Sequence, residues 1–294
     1  MNIIDKNFNI KGVSLILGFF DGIHCGHRKV IKQAVDFAKE NNAKTLLLTF
    51  KESPAQYFNK DFNYIFPRKV SYKKIEELGV DYLLEIDFEK VVKLTAEEYL
   101  SKLVEKFAPI SITTGFNHTF GAGKLGTPFL LELMSKKDGY KYFCVKPYKI
   151  GNEAISSTLI KEYLKNGCIE NANKLLCSNF TLKLKIIQGE KIGRQLGFPT
   201  ANAQYPQNII KLPYGVYKTS VLNKPAIMNW GVKPTFNNKK EILEIHILNG
   251  FNDNLYDKNL EVTILQKIRD EIEFDSKEDL INQIKKDIKS CLES

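Results

Sequence analysis

The chain has 294 residues, 43% of them hydrophobic and 26% charged, with a formal net charge of +9. That length suits two domains, and the composition is that of a soluble globular protein: no apolar run approaches a membrane span, and Met1-Asn2-Ile3-Ile4-Asp5-Lys6-Asn7 lacks the basic flank and apolar centre of a leader peptide. Lysines alternate with acids, so phosphorylated small molecules rather than nucleic acid are the expected partners, while Cys25, Cys144, Cys168, Cys177 and Cys291 show neither close pairing nor metal spacing, as for reduced thiols in a cytoplasm.

Residues 13–17 read as a buried strand that runs into Gly18-Phe19-Phe20-Asp21-Gly22-Ile23-His24-Cys25-Gly26-His27, followed by a helix over residues 28–39. A strand, a glycine-rich turn and a helix N-terminus together present backbone N–H groups to phosphate oxygens, which makes Gly18, Phe19, Asp21, Gly22 and Gly26 candidate nucleotide-phosphate-binding positions. His24 and His27 can donate hydrogen bonds to phosphate oxygens whose charge grows as a phosphorus centre is attacked, and they are the candidate catalytic pair. No Glu or Cys cluster stands nearby to complete a zinc site.

Further strands are expected at residues 46–50, 82–86, 110–114 and 142–145, with helix-length segments between them. That alternation predicts an α/β domain with a parallel sheet, covered on both faces, whose ligands sit at the carboxyl ends of the strands. The loop Gly115-Phe116-Asn117-His118-Thr119-Phe120-Gly121 and its continuation through Lys124 to Gly126 occupy such an end, and read either as a turn or as a ligand loop. Ile155-Ser156-Ser157-Thr158-Leu159-Ile160-Lys161 reads as a capped helix start, whose hydroxyls and following cation also suit a triphosphate.

Beyond Phe180 the pattern becomes β-rich, with strands expected at residues 182–187, 216–221, 226–229, 242–248 and 260–265, in an antiparallel barrel or sandwich. Leu280, Ile284, Ile288 and Cys291 repeat on one helical face, so a closing helix is expected to pack on it. Gly189, Gly193, Arg194, Gly197 and Pro199 form a glycine-rich stretch that is not a Walker A loop, and Thr200 and Asn202 behind them offer hard oxygen ligands for magnesium. Glu244 alternates with apolar residues on its strand, as a solvent-facing acid or a partner for a lysine would. The expected division is residues 1–167 for the α/β domain, 168–180 for a linker and 181–294 for the β domain.

The histidine segment resembles Gly-x-Phe-Asp-Gly-x-His-x-Gly-His of the FMN adenylyltransferase module of prokaryotic FAD synthetases, within the nucleotidyltransferase superfamily. The stretch over residues 189–202 resembles the riboflavin kinase motif Gly-x-x-x-Gly-Arg-x-Leu-Gly-Phe-Pro-Thr-Ala-Asn. Family-like pieces follow in order, at Leu212-Pro213-Tyr214-Gly215-Val216-Tyr217, at Asn229-Trp230-Gly231-Val232-Lys233-Pro234-Thr235-Phe236 and at Leu243-Glu244-Ile245-His246. The resemblance implies a cytoplasmic bifunctional enzyme, with a Rossmann-like nucleotidyltransferase domain followed by a riboflavin kinase barrel closed by a terminal helix. It would make FMN from riboflavin and ATP, and FAD and pyrophosphate from FMN and ATP.

By the same resemblance Asn117, with His118 and Lys124, would meet FMN, and Ser156, Ser157, Thr158 and Lys161 would position the nucleotide. Glu244 would be the general base, Arg269 a flavin-site residue, and Thr200 and Asn202 the Mg²⁺ ligands. No membrane or nucleic acid partner is implied, and a weak homo-oligomer is left open. The chain departs from the family at Glu52 and Ser53, where Pro and His are usual, at His118, usually another aromatic, and at Lys124 and Lys161, usually Arg. Those departures motivate a narrower alternative, a riboflavin kinase with a decayed second half. The positive charge motivates another, a non-catalytic flavin- or RNA-binding regulator.

Overall fold

The computed structural model describes residues 1–58, 62–151, 153–188, 197–234, 239–248 and 258–293. The chain divides into two compact units, Met1–Ser157 and Thr158–Ser294.

The first unit is built on a six-stranded parallel sheet, in the order β1 (Asn2–Ile4), β4 (Tyr82–Ile86), β3 (Thr45–Phe50), β2 (Ser14–Leu17), β5 (Ser111–Gly115), β6 (Lys141–Val145). Side-chain alternation splits the apolar strand residues between the two faces. Leu15, Leu17, Leu46, Leu48 and Ile112 pack with Leu100, Leu103 and Phe107 of α4 (Ala96–Phe107). Ile16, Leu47 and Leu83 pack with Ile31, Ala34 and Val35 of α1 (Cys25–Glu40). Both faces are thus covered, as all-parallel strands require. Helices α2 (Pro54–Phe58), α3 (Arg68–Glu77) and α5 (Pro128–Asp138) complete the crossovers, and β7 (Lys149–Ile150) and β8 (Glu153–Ala154) form a small hairpin. Helix α4 starts with a capping box, Thr95 and Glu98 each accepting the other's backbone N–H. No helix among the described residues is long and apolar enough to cross a membrane.

In the second unit, α6 (Ser157–Lys165) and α7 (Ile169–Leu176) precede a closed antiparallel barrel. Its strands are β9 (Phe180–Ile187), β10 (Ala201–Gln204), β11 (Gly215–Val221), β12 (Lys224–Pro234), β13 (Lys239–Ile247) and β14 (Asn259–Arg269). Around the barrel they run β10-β13-β12-β11-β14-β9, and β10 closes on β9. Of the two β architectures the sequence leaves open, the barrel is the one formed. The stretch 168–180 carries α7, and Asn173 fastens it by accepting the Phe180 N–H (2.7 Å) and donating to the Ile264 carbonyl (3.0 Å). Phe180, Leu182, Leu184 and Ile186 are buried at every second position of β9, the period of a strand with one face in a core. Helix α8 (Lys277–Glu293) closes the unit: Cys291 and Ile288 pack with Val216, Ile227 and Leu248.

Candidate active sites

The strand-to-helix turn after β2 is fixed by backbone geometry that few side chains tolerate. Gly22 has φ +84°, a conformation that favours glycine, and a Cβ there would also have to displace the Ile65 terminal methyl, 2.7 Å away. Buried Asp21 accepts the Ile65 N–H through Oδ1 (2.9 Å), and its carbonyl accepts the Ser157 hydroxyl (2.9 Å). Asp21 and Ser157 therefore knit the turn together.

His24 is the N-cap of α1, and its Nδ1 accepts the His27 backbone N–H at 3.3 Å. A nitrogen that accepts carries no proton, so in the neutral ring the proton of His24 sits on Nε2. The His24 and His27 rings stack with centroids 3.6 Å apart and planes 19° off parallel, and the Phe20 ring meets His27 edge-on at 5.2 Å. Burial lowers the His24 pKa to about 4. Burial, and then the neighbouring His24, hold His27 well below the usual histidine range. The pair is therefore neutral near pH 7, and the buried Nδ1 of His27 has no hydrogen-bond partner. This places two aimable imidazoles at a helix N-terminus without their own positive charge.

The surroundings explain several departures from the family pattern. Ser53 is buried and uses its hydroxyl to accept the Ala55 N–H (3.2 Å) at the start of α2, while its own N–H donates to the Tyr64 hydroxyl (3.1 Å). It holds the loop by capping. His118 lies nearly parallel to Phe120 (centroids 5.7 Å, 22°), and burial lowers its pKa to about 4, so it packs as a neutral aromatic ring would. Asn117 is exposed beside it, and Lys124 is exposed with φ +58° in a 3₁₀ turn over Ala122–Lys124. Thr158 and Lys161 lie on α6 in the second unit.

Arg68, which no local motif marks, stitches the strand ends. Its Nη2 donates to Glu85 Oε1 (2.8 Å) and to the Phe50 carbonyl (2.5 Å), while the guanidinium lies 5.5 Å from the Phe19 ring centroid. Tyr72 donates to the same Glu85 oxygen.

The second site is a cleft of about 360 Å³ on the barrel unit, lined by Thr200, Asn229, Glu244, His246, Arg269 and Asp287 among others. Strand register puts its chemistry in a row. Asn202 of β10 pairs with Glu244 of β13, Glu244 pairs with Asn229 of β12, Asn229 with Val216 of β11, and Val216 with Arg269 of β14. Residues directly opposite share a face, so this row belongs to one side of the barrel wall. Thr200 and Asn202 supply neutral oxygens and Glu244 a carboxylate, a donor set that fits a hard divalent cation whose shell nucleotide and water complete. Asn229 and His246 line the same cleft and were not singled out in the sequence as site residues; the cross-strand register alone would have found Asn229. Gly189, Gly193 and Arg194 lie outside the described residues, and Gly197, with φ +86°, borders them.

Arg269 spends most of its donors on structure. Nε and Nη2 grip Asp287 of α8 in a two-pronged pair (3.0 and 2.8 Å to Oδ1 and Oδ2), Nη1 donates to the Asp270 carbonyl (2.9 Å), and Gln283 Nε2 donates to Asp287 Oδ1 (2.8 Å). The pair fastens the closing helix to β14 at the cleft wall. A further carboxylate, Glu271, accepts the Val232 N–H (3.0 Å) at the same wall.

The FAD synthetase family model matches residues 7–159, and the riboflavin kinase family model matches residues 176–294. The chain is 34% identical to the bifunctional riboflavin kinase/FMN adenylyltransferase of Buchnera aphidicola subsp. Schizaphis graminum, covering 98% of this chain and 97% of that protein. It is 31% identical to the protein of the same name from Haemophilus influenzae, covering 98% and 96%, and 32% identical to the one from Bacillus subtilis, covering 93% and 89%. Among solved structures, a Streptococcus pneumoniae protein titled a macrolide-efflux protein shares the fold over 100% of both chains, with a TM-score of 0.89 and 27% identity. That title belongs to its own protein, whereas two family models, one for each half, and full-length relatives of one name agree on this chain. It belongs to the bifunctional riboflavin kinase/FMN adenylyltransferase family.

Proposed function

We propose that the second unit phosphorylates riboflavin to FMN with ATP, and that the first unit transfers the adenylyl group of ATP to FMN, giving FAD and pyrophosphate. The observation that carries this reading is that Thr200 and Glu244 line one cleft, with Asn202 directly across the strand ladder from Glu244, matched in the first unit by the stacked His24–His27 pair.

In the kinase site Glu244 takes the proton of the riboflavin 5′-hydroxyl as that oxygen bonds to the γ-phosphorus and the bond to the bridging oxygen of ADP breaks. Thr200 and Asn202 would hold Mg²⁺, which when bound neutralises charge on the phosphates. Arg269 keeps the flavin side of the cleft in shape through Asp287, with its remaining N–H groups available to the ligand.

In the adenylyltransferase site a phosphate oxygen of FMN attacks the α-phosphorus of ATP, and pyrophosphate leaves. His24, through Nε2–H, and His27 hydrogen-bond to the oxygens that gain charge, without forming covalent bonds. The turn over Gly18, Phe19, Gly22 and Gly26 approaches the nucleotide, Ser156, Thr158 and Lys161 position it, and Asn117, His118 and Lys124 face FMN. Aqueous metabolites are the partners, and the enzyme works in the cytoplasm.

The test is chromatography of flavins after incubation with ATP and Mg²⁺, in one tube with riboflavin and in another with FMN. FAD in both is expected. FMN alone in the first tube with no conversion in the second would leave only the kinase.

A further inference from the structure

We propose that His246 is a positioning residue for phosphoryl transfer: its imidazole clamps Phe198 and Pro199 to β13 and thereby sets where Thr200 and Asn202 stand against Glu244. This rests on the kinase reading of the cleft.

His246 lies two residues beyond Glu244, on the same face of β13, and both line the cleft. Its Nδ1 is 2.7 Å from the Pro199 carbonyl oxygen. A carbonyl only accepts, so Nδ1 bears the proton, whether the ring is neutral or cationic. The Phe198 ring meets the imidazole edge-on, with centroids 5.9 Å apart and planes at 89°.

The clamp sits where the backbone ladder ends. Strands β10 and β13 pair from Ala201 with Ile245 through Asn202 with Glu244 to Ala203 with Leu243. Continuing by one residue sets Thr200 opposite His246, just outside β10. Pro199 has no N–H to offer a ladder, and Gly197 with φ +86° precedes it, so the approach to Thr200 has little backbone restraint of its own. A side-chain donor from the base-bearing strand supplies that restraint and ties the expected metal ligands to the carboxylate they must serve.

The experiment uses the full-length enzyme with His246→Ala, His246→Phe and His246→Asn. Phe keeps a ring against Phe198 without a donor, and Asn offers an amide N–H close to the place of Nδ1. In FMN formation, Ala and Phe should lower kcat/KM for ATP about tenfold, as for loss of one charge-free hydrogen bond at a positioned group, with the KM for riboflavin changed less than about twofold. Asn should return kcat/KM to within about threefold of wild type with an unshifted pH profile, because the clamp does not depend on titration. Amide hydrogen exchange over residues 200–204, read without turnover, should quicken in Ala and Phe and slow again in Asn. FAD formation from supplied FMN should be the same in all four proteins. A Phe variant equal to wild type, an Asn variant as impaired as Ala, or loss of a limb of the pH–rate profile in Asn would overturn the proposal. A wild-type enzyme that makes no FMN from riboflavin would instead remove the kinase reading beneath it.

Discussion

The two proposed sites are assembled in opposite ways. In the first unit the candidate histidines are three positions apart in sequence, sit in one turn and one helix start, and are kept uncharged by burial: His24 and His27 stack, and both are neutral near pH 7. In the second unit the groups come from separate strands around a cleft, with Glu244 across the ladder from Asn202 and Asn229 and Arg269 paired to Asp287. A local site of the first kind is robust to changes elsewhere but sensitive to pH. A site of the second kind depends on strand register and on the helix that closes it.

The sharpest way to break this comparison is to remove one set at a time. His24→Ala or His27→Ala should lower FAD formation from FMN about 10²–10³-fold while leaving FMN formation from riboflavin unchanged. Glu244→Gln or Thr200→Ala should do the converse, by a similar factor, as judged by flavin chromatography from each starting substrate. Loss of both products in a folded variant would mean that the two sites are not independent.

Next in size is the closing helix. Asp287→Ala leaves the half-buried guanidinium of Arg269 without its carboxylate, which should destabilise the second unit by about 2 kcal/mol. A denaturant titration followed by Trp230 fluorescence should record the loss, with FAD formation from FMN retained below the transition.

Acid should separate the units in another way. A histidine whose folded pKa is depressed binds fewer protons folded than unfolded. The stability this withholds is intact above the unfolded pKa of 6.5 and is lost as pH falls towards the folded value of about 4. For His24 alone the loss amounts to about 3 kcal/mol at the acid end of that window, with His27 adding in the same direction. The transition of the first unit should fall between pH 6.5 and pH 4 more steeply in wild type than in His24→Gln, as measured by calorimetry. Equal slopes would mean that the pair is not kept neutral.

The smallest effect expected is a gain. Lys124→Arg and Lys161→Arg restore a planar fork in place of a point charge, and should lower the KM for FMN or ATP in the adenylylation reaction a few-fold, about 0.5–1 kcal/mol each. No change would mean that neither side chain touches substrate.

Much of this was readable from the chain because its signals are short-range. The apolar runs over residues 46–50 and 82–86 became β3 and β4, and the helical repeat through Leu280, Ile284 and Cys291 became α8. What escaped depends on partners distant in sequence. Strand β1 is only three residues long with its first two exposed, and exists because Asn2–Ile4 adds to the edge of β4. Strand β10 was hidden inside a motif read for phosphate chemistry. Closure into a barrel rests on the β9–β10 pairing, which no periodicity encodes. Arg68 is placed through tertiary contact with no local mark, and Asn229, quoted only as part of a family-like piece, reaches the cleft through cross-strand register. His118 stood out in the sequence as a departure from the family's aromatic, and its ring lies nearly parallel to Phe120 as an aromatic would.

The row of Asn202, Glu244 and Asn229 across three neighbouring strands bears on any attempt to transplant or redesign this kinase. Its spacing is set by the hydrogen-bond ladder, so adding or deleting one residue ahead of Glu244 in β13, or ahead of Asn229 in β12, would turn that side chain to the other face of the barrel wall. The whole ladder must travel with the three side chains, and new substrate preferences are more readily sought in the closing helix and cleft rim, where an exchange alters shape without moving the register.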